Sequence, residues 1–177
     1  MSHIKIQTNR LVIKDLIPSN AEDMFTYRAD EEISKYQSFC PKRINDVLSF
    51  IGDSTKNFDE QNNWFQVGIF FNEKIIGDIG IHFIGPENKQ VEIGYTISRD
   101  FQRQGFGKEA VIGVINYLFN DLKKHRIIAS LDPMNSASIA LLESIGFRKE
   151  GLLKKSIFNQ GIWKDDLLYA LLNEEWK

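Results

Sequence analysis

The sequence predicts a mixed α/β (α+β) fold around one central sheet, and three observations predict it. Residues 64–97 contain three runs rich in aromatic and β-branched residues, separated by turn sequences. Segments with apolar residues at helical spacing precede and follow that block. The chain of 177 residues is 42% hydrophobic and 26% charged, enough for a sizeable core, and neither linker, repeat nor low-complexity tract divides it. One domain over residues 1–177, with helices flanking a mostly antiparallel sheet, is therefore expected.

Leu11–Leu16 reads as a strand that ends at Pro18-Ser19. Ser19 and Glu22 make a capping box for a helix running to about Arg28. Asp30–Tyr36 adds a short helix, and Asn45 caps another whose apolar side includes Val47, Leu48 and Ile51. Trp64–Phe71, Ile75–Ile84 and Gln90–Ile97 form an antiparallel meander, with turns at Asn72-Glu73-Lys74 and Gly85-Pro86-Glu87-Asn88. Ser98–Lys108 is a polar loop. In Glu109–Leu122 the residues Ala110, Val111, Val114, Ile115, Leu118 and Phe119 recur at helical spacing. Arg126–Leu131 is a strand, and Asn135–Ile145 a helix stopped by Gly146. Leu152–Phe158 and Ile162–Leu172 form a closing hairpin, which offers an edge for a homodimer.

A formal net charge of −2 gives no electrostatic case for nucleic acid. The run Lys123-Lys124-His125-Arg126 reads as a solvated helix end. Cys40 is the lone cysteine, so no internal disulfide forms and an oxidising compartment is not indicated. Without a signal-peptide pattern or a membrane-length apolar run, a cytoplasmic protein with no membrane partner is expected. His3, His82 and His125 are scattered without ligand spacing, so no metal site is expected. Trp64, Phe65 and Phe70 fit sheet core or the lining of an amine pocket, with core the default, and Trp163 fits an acceptor-pocket lining or a locally packed hairpin.

The loop Gln102-Arg103-Gln104-Gly105-Phe106-Gly107-Lys108 carries the clearest chemistry. Two glycines two apart let backbone N–H groups converge, the following helix adds its own unpaired N–H groups and dipole, and Arg103 and Lys108 supply charge. Such a place binds phosphate oxygens. A Walker A loop is excluded, because Glu109 follows Lys108. Gly105-x-Gly107-x-x-Ala110 satisfies the nicotinamide-dinucleotide fingerprint, with Asp132 as a ribose ligand, but Ser98–Gln104 separates the strand from the first glycine. A plain helix entry with flexible glycines is the third reading.

The surroundings select a fourth. Gln102-x-x-Gly105-x-Gly107, after a meander strand and before a helix, resembles the pyrophosphate motif of the GNAT N-acetyltransferases. Asn135-Ser136-Ala137-Ser138 through Gly146-Phe147 resembles that family's Asn-x-x-Ser/Ala helix. Val91-Glu92-Ile93-Gly94-Tyr95 and the ending Asp165, Tyr169, Glu175-Trp176 are similar to the Rim branch, which acetylates N-termini of ribosomal proteins and has relatives with other amine substrates. The resemblance runs from Thr8-Asn9-Arg10-Leu11 to Trp176.

It implies a sheet with a splayed parallel pair, acetyl-CoA as cosubstrate, and a primary amine as acceptor, either a protein N-terminus or a small molecule. It also implies that Tyr95, Thr96, Ile97 and Ser98 meet the cofactor arm through their backbone. Gln102, Arg103, Gln104, Gly105, Phe106, Gly107 and Lys108 hold the phosphates by the same resemblance, and Asn135 and Ser138 touch the arm. Strand alternation puts Glu92, Gly94 and Thr96 on one face; the plain reading of Glu92 is a solvent-facing residue, whereas the Rim resemblance makes it the base. The family's usual acid is a tyrosine at the position of Leu142. Its absence leaves Ser138 as the implied substitute and motivates an alternative, an acyl-CoA-binding module without catalysis.

Overall fold

The computed structural model describes residues 4–159 and 161–177, so His3 lies outside it. Eight strands form one sheet: β1 (Lys5–Gln7), β2 (Val12–Asp15), β3 (Trp64–Phe71), β4 (Lys74–Ile84), β5 (Gln90–Ile97), β6 (Arg126–Leu131), β7 (Arg148–Asn159) and β8 (Ile162–Leu172). Their order is β1-β2-β3-β4-β5-β6-β8-β7. All neighbours are antiparallel except β5 and β6.

The parallel ladder is short. It pairs Gln90 with Arg126, Val91 with Ile127 and Glu92 with Ile128, then stops. β5 still pairs with β4 as far as Ile97, and β6 with β8 as far as Leu131. The two strands therefore diverge while each stays fixed to its other neighbour, which leaves a wedge with two ordered walls. A doubly wound parallel sheet, which the nicotinamide reading requires, is not this topology.

Alternation along the strands separates two faces. Val67, Ile79, Ile81, Phe83, Val91, Ile93, Ile127, Ala129, Tyr169 and Leu171 are buried in a core shared with α4 (Phe106–Asn116) and α5 (Ser136–Ile145). On the opposite face, α1 (Ala21–Arg28) and α3 (Ile44–Ser54) pack Met24, Val47 and Ile51 against Phe70 and Ile75. α2 (Glu31–Ser34) follows α1, and its Glu32 and Ile33 line the cleft at the wedge. The second face also buries a charge. Asp78 on β4 accepts hydrogen bonds from Tyr27 Oη at 2.6 Å, from both ends of the Arg28 guanidinium, and from Gln66. Burial raises the Tyr27 phenol well above its ordinary range, with the Asp78 carboxylate adding to the effect. An ion pair this deep persists because both carboxylate oxygens of Asp78 are matched by donors.

The expected elements are present with changed boundaries. α4 opens at Phe106 rather than Glu109, because Gly105 with φ 81° is the residue before its first turn. Its end is a π-turn over Tyr117–Asp121. α3 is entered through Arg43 rather than Asn45; Asp46 accepts from the backbone N–H groups of Lys42 and Arg43, each at 2.9 Å. Ser19 caps nothing, since Pro18–Asn20 is a 3-10 turn leading into α1. Leu48 is exposed, whereas Val47 and Ile51 are buried as expected. Lys124 is not solvated: it is buried against Phe83 and donates to Asp59 Oδ1 at 2.5 Å. α5 keeps both its expected ends, with Asn135 Oδ1 accepting from Ser138 N and Gly146 left-handed at φ 110°.

Candidate active site

The wedge opens into a cleft of about 600 Å³. Tyr95, Thr96 and Ile97 form one wall, Asn135 and Ser138 at the start of α5 another, and Gly105, Gly107 and Lys108 at the start of α4 its end. The first i to i−4 bond of α4 is Glu109 N to Gly105 O, at 3.0 Å. The N–H groups before it have no partner within the helix and lie at the positive end of its dipole. Arg103, left-handed at φ 59°, and Gly105 bend the chain so that this end faces the cleft. Gly107 packs closely: a Cβ there would lie 3.3 Å from Leu141 and 3.4 Å from Ile97, so the Leu141 side chain would have to give by a few tenths of an ångström.

The loop is fastened from behind. Glu109 Oε1 accepts from Thr8 Oγ1 at 2.6 Å and Arg10 N at 2.7 Å, while Arg10 Nε donates to Oε2 at 2.6 Å. Burial alone would raise the Glu109 carboxyl, but these hydrogen bonds and the guanidinium charge hold it below its ordinary value. Arg10 Nη1 also reaches the Gln104 carbonyl at 3.1 Å. Gln102 Nε2 donates to the Ile97 carbonyl at 2.9 Å, bracing the end of β5. Lys108 Nζ donates to Ser144 O at 3.1 Å, tying α4 to α5.

Of the residues implied for the cofactor, Tyr95, Thr96, Ile97, Gln102, Arg103, Gly105, Gly107, Lys108, Asn135 and Ser138 line this cleft. Three stand elsewhere. Ser98 N donates to Ile76 O at 2.8 Å inside the sheet, Gln104 Nε2 donates to Asp100 O at 2.8 Å, and Phe106 is buried beneath Arg10 among Phe71 and Phe101. Leu142 is fully buried at 0% exposure and belongs to the core rather than the cleft.

Tyr95 Oη donates to Ser138 O at 3.4 Å, joining β5 to α5 across the mouth of the wedge. Burial pushes its phenol up to about 12. The protein contributes one more unusual group here. Thr96 Oγ1 is buried with no hydrogen-bond partner in the protein, although Thr96 lines the cleft.

A second chamber of about 500 Å³ lies beside the first, and Tyr36 and Gln37 line both. Tyr36 Oη donates to Met134 O at 3.1 Å, so the segment after α2 straps the two chambers together. Glu92, Asp132, Asp165 and Asp166 line the second chamber. The cations there are already engaged: Arg28 with Asp78, and Lys164 with Asp132 at 3.8 Å. Asp166 is buried and accepts from Ser130 Oγ at 2.5 Å. Hydrogen bonds from Lys154 and from the Lys155 backbone hold the Asp165 carboxyl below its ordinary value.

Glu92 stands where the parallel ladder ends and lines the second chamber. His82, opposite it on β4, brings Nδ1 to 3.3 Å from Glu92 Oε2. Trp64 stacks on the His82 ring at 4.7 Å between centroids and 13° between planes. These neighbours were missed in the sequence. Counting inward from the facing strand ends Ile84 and Gln90 pairs residue 82 with residue 92, and that is the signal the sequence offers. Trp64 is 42% exposed and lines the chamber, whereas Phe65 and Phe70 are core.

The sequence family described as "Acetyltransferase (GNAT) domain" matches residues 10–148. The chain belongs to the GNAT acetyltransferase family. It is 33% identical over 175 residues to "Uncharacterized N-acetyltransferase p20" of Bacillus licheniformis, covering 97% of each chain. It is 28% identical to the "[Ribosomal protein uS5]-alanine N-acetyltransferase" of Escherichia coli, covering 98% of this chain and 93% of that one. A solved GNAT acetyltransferase from Bacillus anthracis superposes with a TM-score of 0.86 at 29% identity, covering 97% and 100% of the two chains. This GNAT chain is thus an acyltransferase by family, and its Rim-type relatives include ribosomal-protein N-acetyltransferases.

Among the described residues no helix is long and apolar enough to cross a membrane, and no group of three or more His, Cys, Asp or Glu could hold a metal ion.

Proposed function

We propose that the protein transfers the acetyl group of acetyl-CoA to a primary amine, by direct attack and without a covalent enzyme intermediate. The observation that carries this reading is the wedge itself: a helix N-terminus at one end, a carboxylate at the other, and two fixed strands between. The cosubstrate supplies an acyl group activated as a thioester. A C–N bond forms as the C–S bond breaks, the amine gives up one proton, and the departing thiolate takes one up. The unpaired N–H groups at the start of α4, with Arg103 and Lys108, suit the phosphates. Glu92 receives the amine proton through a water, and the Ser138 hydroxyl serves the thiolate. The carboxylate-lined chamber favours a cationic acceptor over an anionic one. The uS5-specific relative makes a protein N-terminus one acceptor class, and a small-molecule amine is the other.

Burial of Leu142 where the family's acid usually stands favours a second reading, a module that binds acyl-CoA without turnover. Two measurements separate the readings. A thermal melt with acetyl-CoA at a hundredfold its dissociation constant should rise by about 5–11 °C, from about 2.7 kcal/mol of linkage, and NAD should leave it unmoved. Release of free thiol in the presence of N-terminal peptides or small amines then supports the enzyme. A rise in melting temperature with no thiol from any amine supports the silent module, and a rise with NAD alone overturns both.

A further inference from the structure

We propose that the Thr96 hydroxyl is a direct ligand of the acyl-pantetheine arm, donating a hydrogen bond to one of its carbonyl oxygens. The inference rests on the acetyl-CoA reading above and assigns to a side chain what that reading left to the backbone.

The starting point is an energetic anomaly. A hydroxyl carries one donor and two acceptor sites, and leaving it unpaired in a dry place is unfavourable. Thr96 is 3% exposed, and its Oγ1 has no partner in the protein. Valine has the same shape, suits a strand equally and carries no such penalty. Its obvious neighbour offers no relief. Asp78 is the residue paired with Thr96 across β4 and β5, yet Tyr27, Arg28 and Gln66 already occupy its carboxylate. That network fixes β4, the strand against which Thr96 is paired.

The hydroxyl's location supplies the missing partner. The ladder between β5 and β6 ends at Glu92, so Thr96 lies on the part of β5 that faces the wedge instead of β6. In sequence it stands between Tyr95 and Ile97, and like them it belongs to the lining of the cleft that Gly107 and Ser138 also line. The acyl-pantetheine arm carries carbonyl oxygens of two kinds, the thioester's and those of its amides, and either accepts a hydrogen bond from Oγ1.

The test uses the whole chain with Thr96→Val and Thr96→Ser, reading the melting temperature without ligand and the calorimetric affinity for acetyl-CoA and for CoA. The free Thr96→Val protein should melt no lower than the parent, because no protein partner is lost. Its dissociation constant for acetyl-CoA should rise about 3- to 10-fold, as for one neutral hydrogen bond, and Thr96→Ser should restore it. Weakening confined to acetyl-CoA assigns the bond to the thioester carbonyl; equal weakening for CoA assigns it to an amide. Parent-like affinity of Thr96→Val for both ligands overturns the assignment while leaving the acetyl-CoA reading intact. So does a fall of several degrees in its ligand-free melting temperature that Thr96→Ser repairs, since the hydroxyl would then have had a partner in the protein. A parent protein that binds neither ligand removes both proposals.

Discussion

His82 and Glu92 stand directly opposite each other on β4 and β5, with Nδ1 and Oε2 3.3 Å apart. The bond forms with the proton on Nδ1, and the Trp64 ring stacked on the imidazole limits its rotation. A base held in one orientation loses less on reaching the transition state than one free to turn. Glu92→Gln should lower kcat by about 100-fold or more, and His82→Ala by about 10-fold, with the acetyl-CoA KM of both within about twofold of the parent. Steady-state kinetics with a saturating amine checks this. A parent-like rate for Glu92→Gln would remove Glu92 from the mechanism and His82 with it.

Ser138 contributes two separable things at the start of α5. Its backbone N–H donates to Asn135 Oδ1 at 3.2 Å, capping the helix, while its side chain belongs to a residue of the cleft wall. Ser138→Ala keeps the cap, so its melting temperature should match the parent while kcat falls about 10- to 100-fold. Asn135→Ala removes the cap and should cost about 1 kcal/mol of stability, read by urea unfolding. If Ser138→Ala destabilises the protein as much as Asn135→Ala does, the hydroxyl has a structural role instead.

What the sequence made legible follows the range of the interactions. The meander from Trp64 to Ile97 was readable because its signals are local: alternation, β-branching and turn residues. The ends of α5 were readable for the same reason, since Asn135 and Gly146 act within their own turns. The start of α4 differs from the expected one because the left-handed conformation of Gly105 lets Phe106–Lys108 enter the helix, and composition alone does not reveal it. The burial of Lys124 is not legible in the sequence because its partner, Asp59, is 65 positions away. Most of the second chamber is hidden likewise: it is assembled from α1, α3, the segment after α2, and strands β3 to β8, which no short motif spans. The extent of the wedge came only from the point at which the β5–β6 ladder stops.

The buried Asp78 network makes a sharp stability prediction. Asp78→Ala strands the Arg28 guanidinium in the interior and should cost about 3–5 kcal/mol, measured by urea unfolding. Asp78 also faces Thr96 across the strands, so loosening β4 there should weaken acetyl-CoA binding too. A loss under about 1 kcal/mol would mean that water reaches Arg28 in the native state, contrary to its burial.

Tyr95 and Tyr169 give the protein an alkaline limit. Burial pushes the Tyr95 phenol up to about 12, and the hydrogen bond that Tyr169 Oη donates to Glu143 at 2.6 Å pushes Tyr169 to about 12. In the unfolded chain both titrate near the ordinary 10. Below that value neither state loses a phenolic proton, so the stabilisation is fully present and independent of pH. Between about 10 and about 12 the unfolded chain releases protons that the folded protein keeps, so it binds fewer of them and stability falls as pH rises. Tyr95→Phe and Tyr169→Phe should each flatten that fall while leaving stability at neutral pH less affected. Urea unfolding at a series of alkaline pH values measures the slope, and phenolate absorbance of the folded protein measures the titrations. Equal slopes for the parent and the Tyr95→Phe, Tyr169→Phe double variant would place both phenols at ordinary values. The Tyr95–Ser138 bridge across the wedge would then be open to solvent rather than a closed contact between β5 and α5.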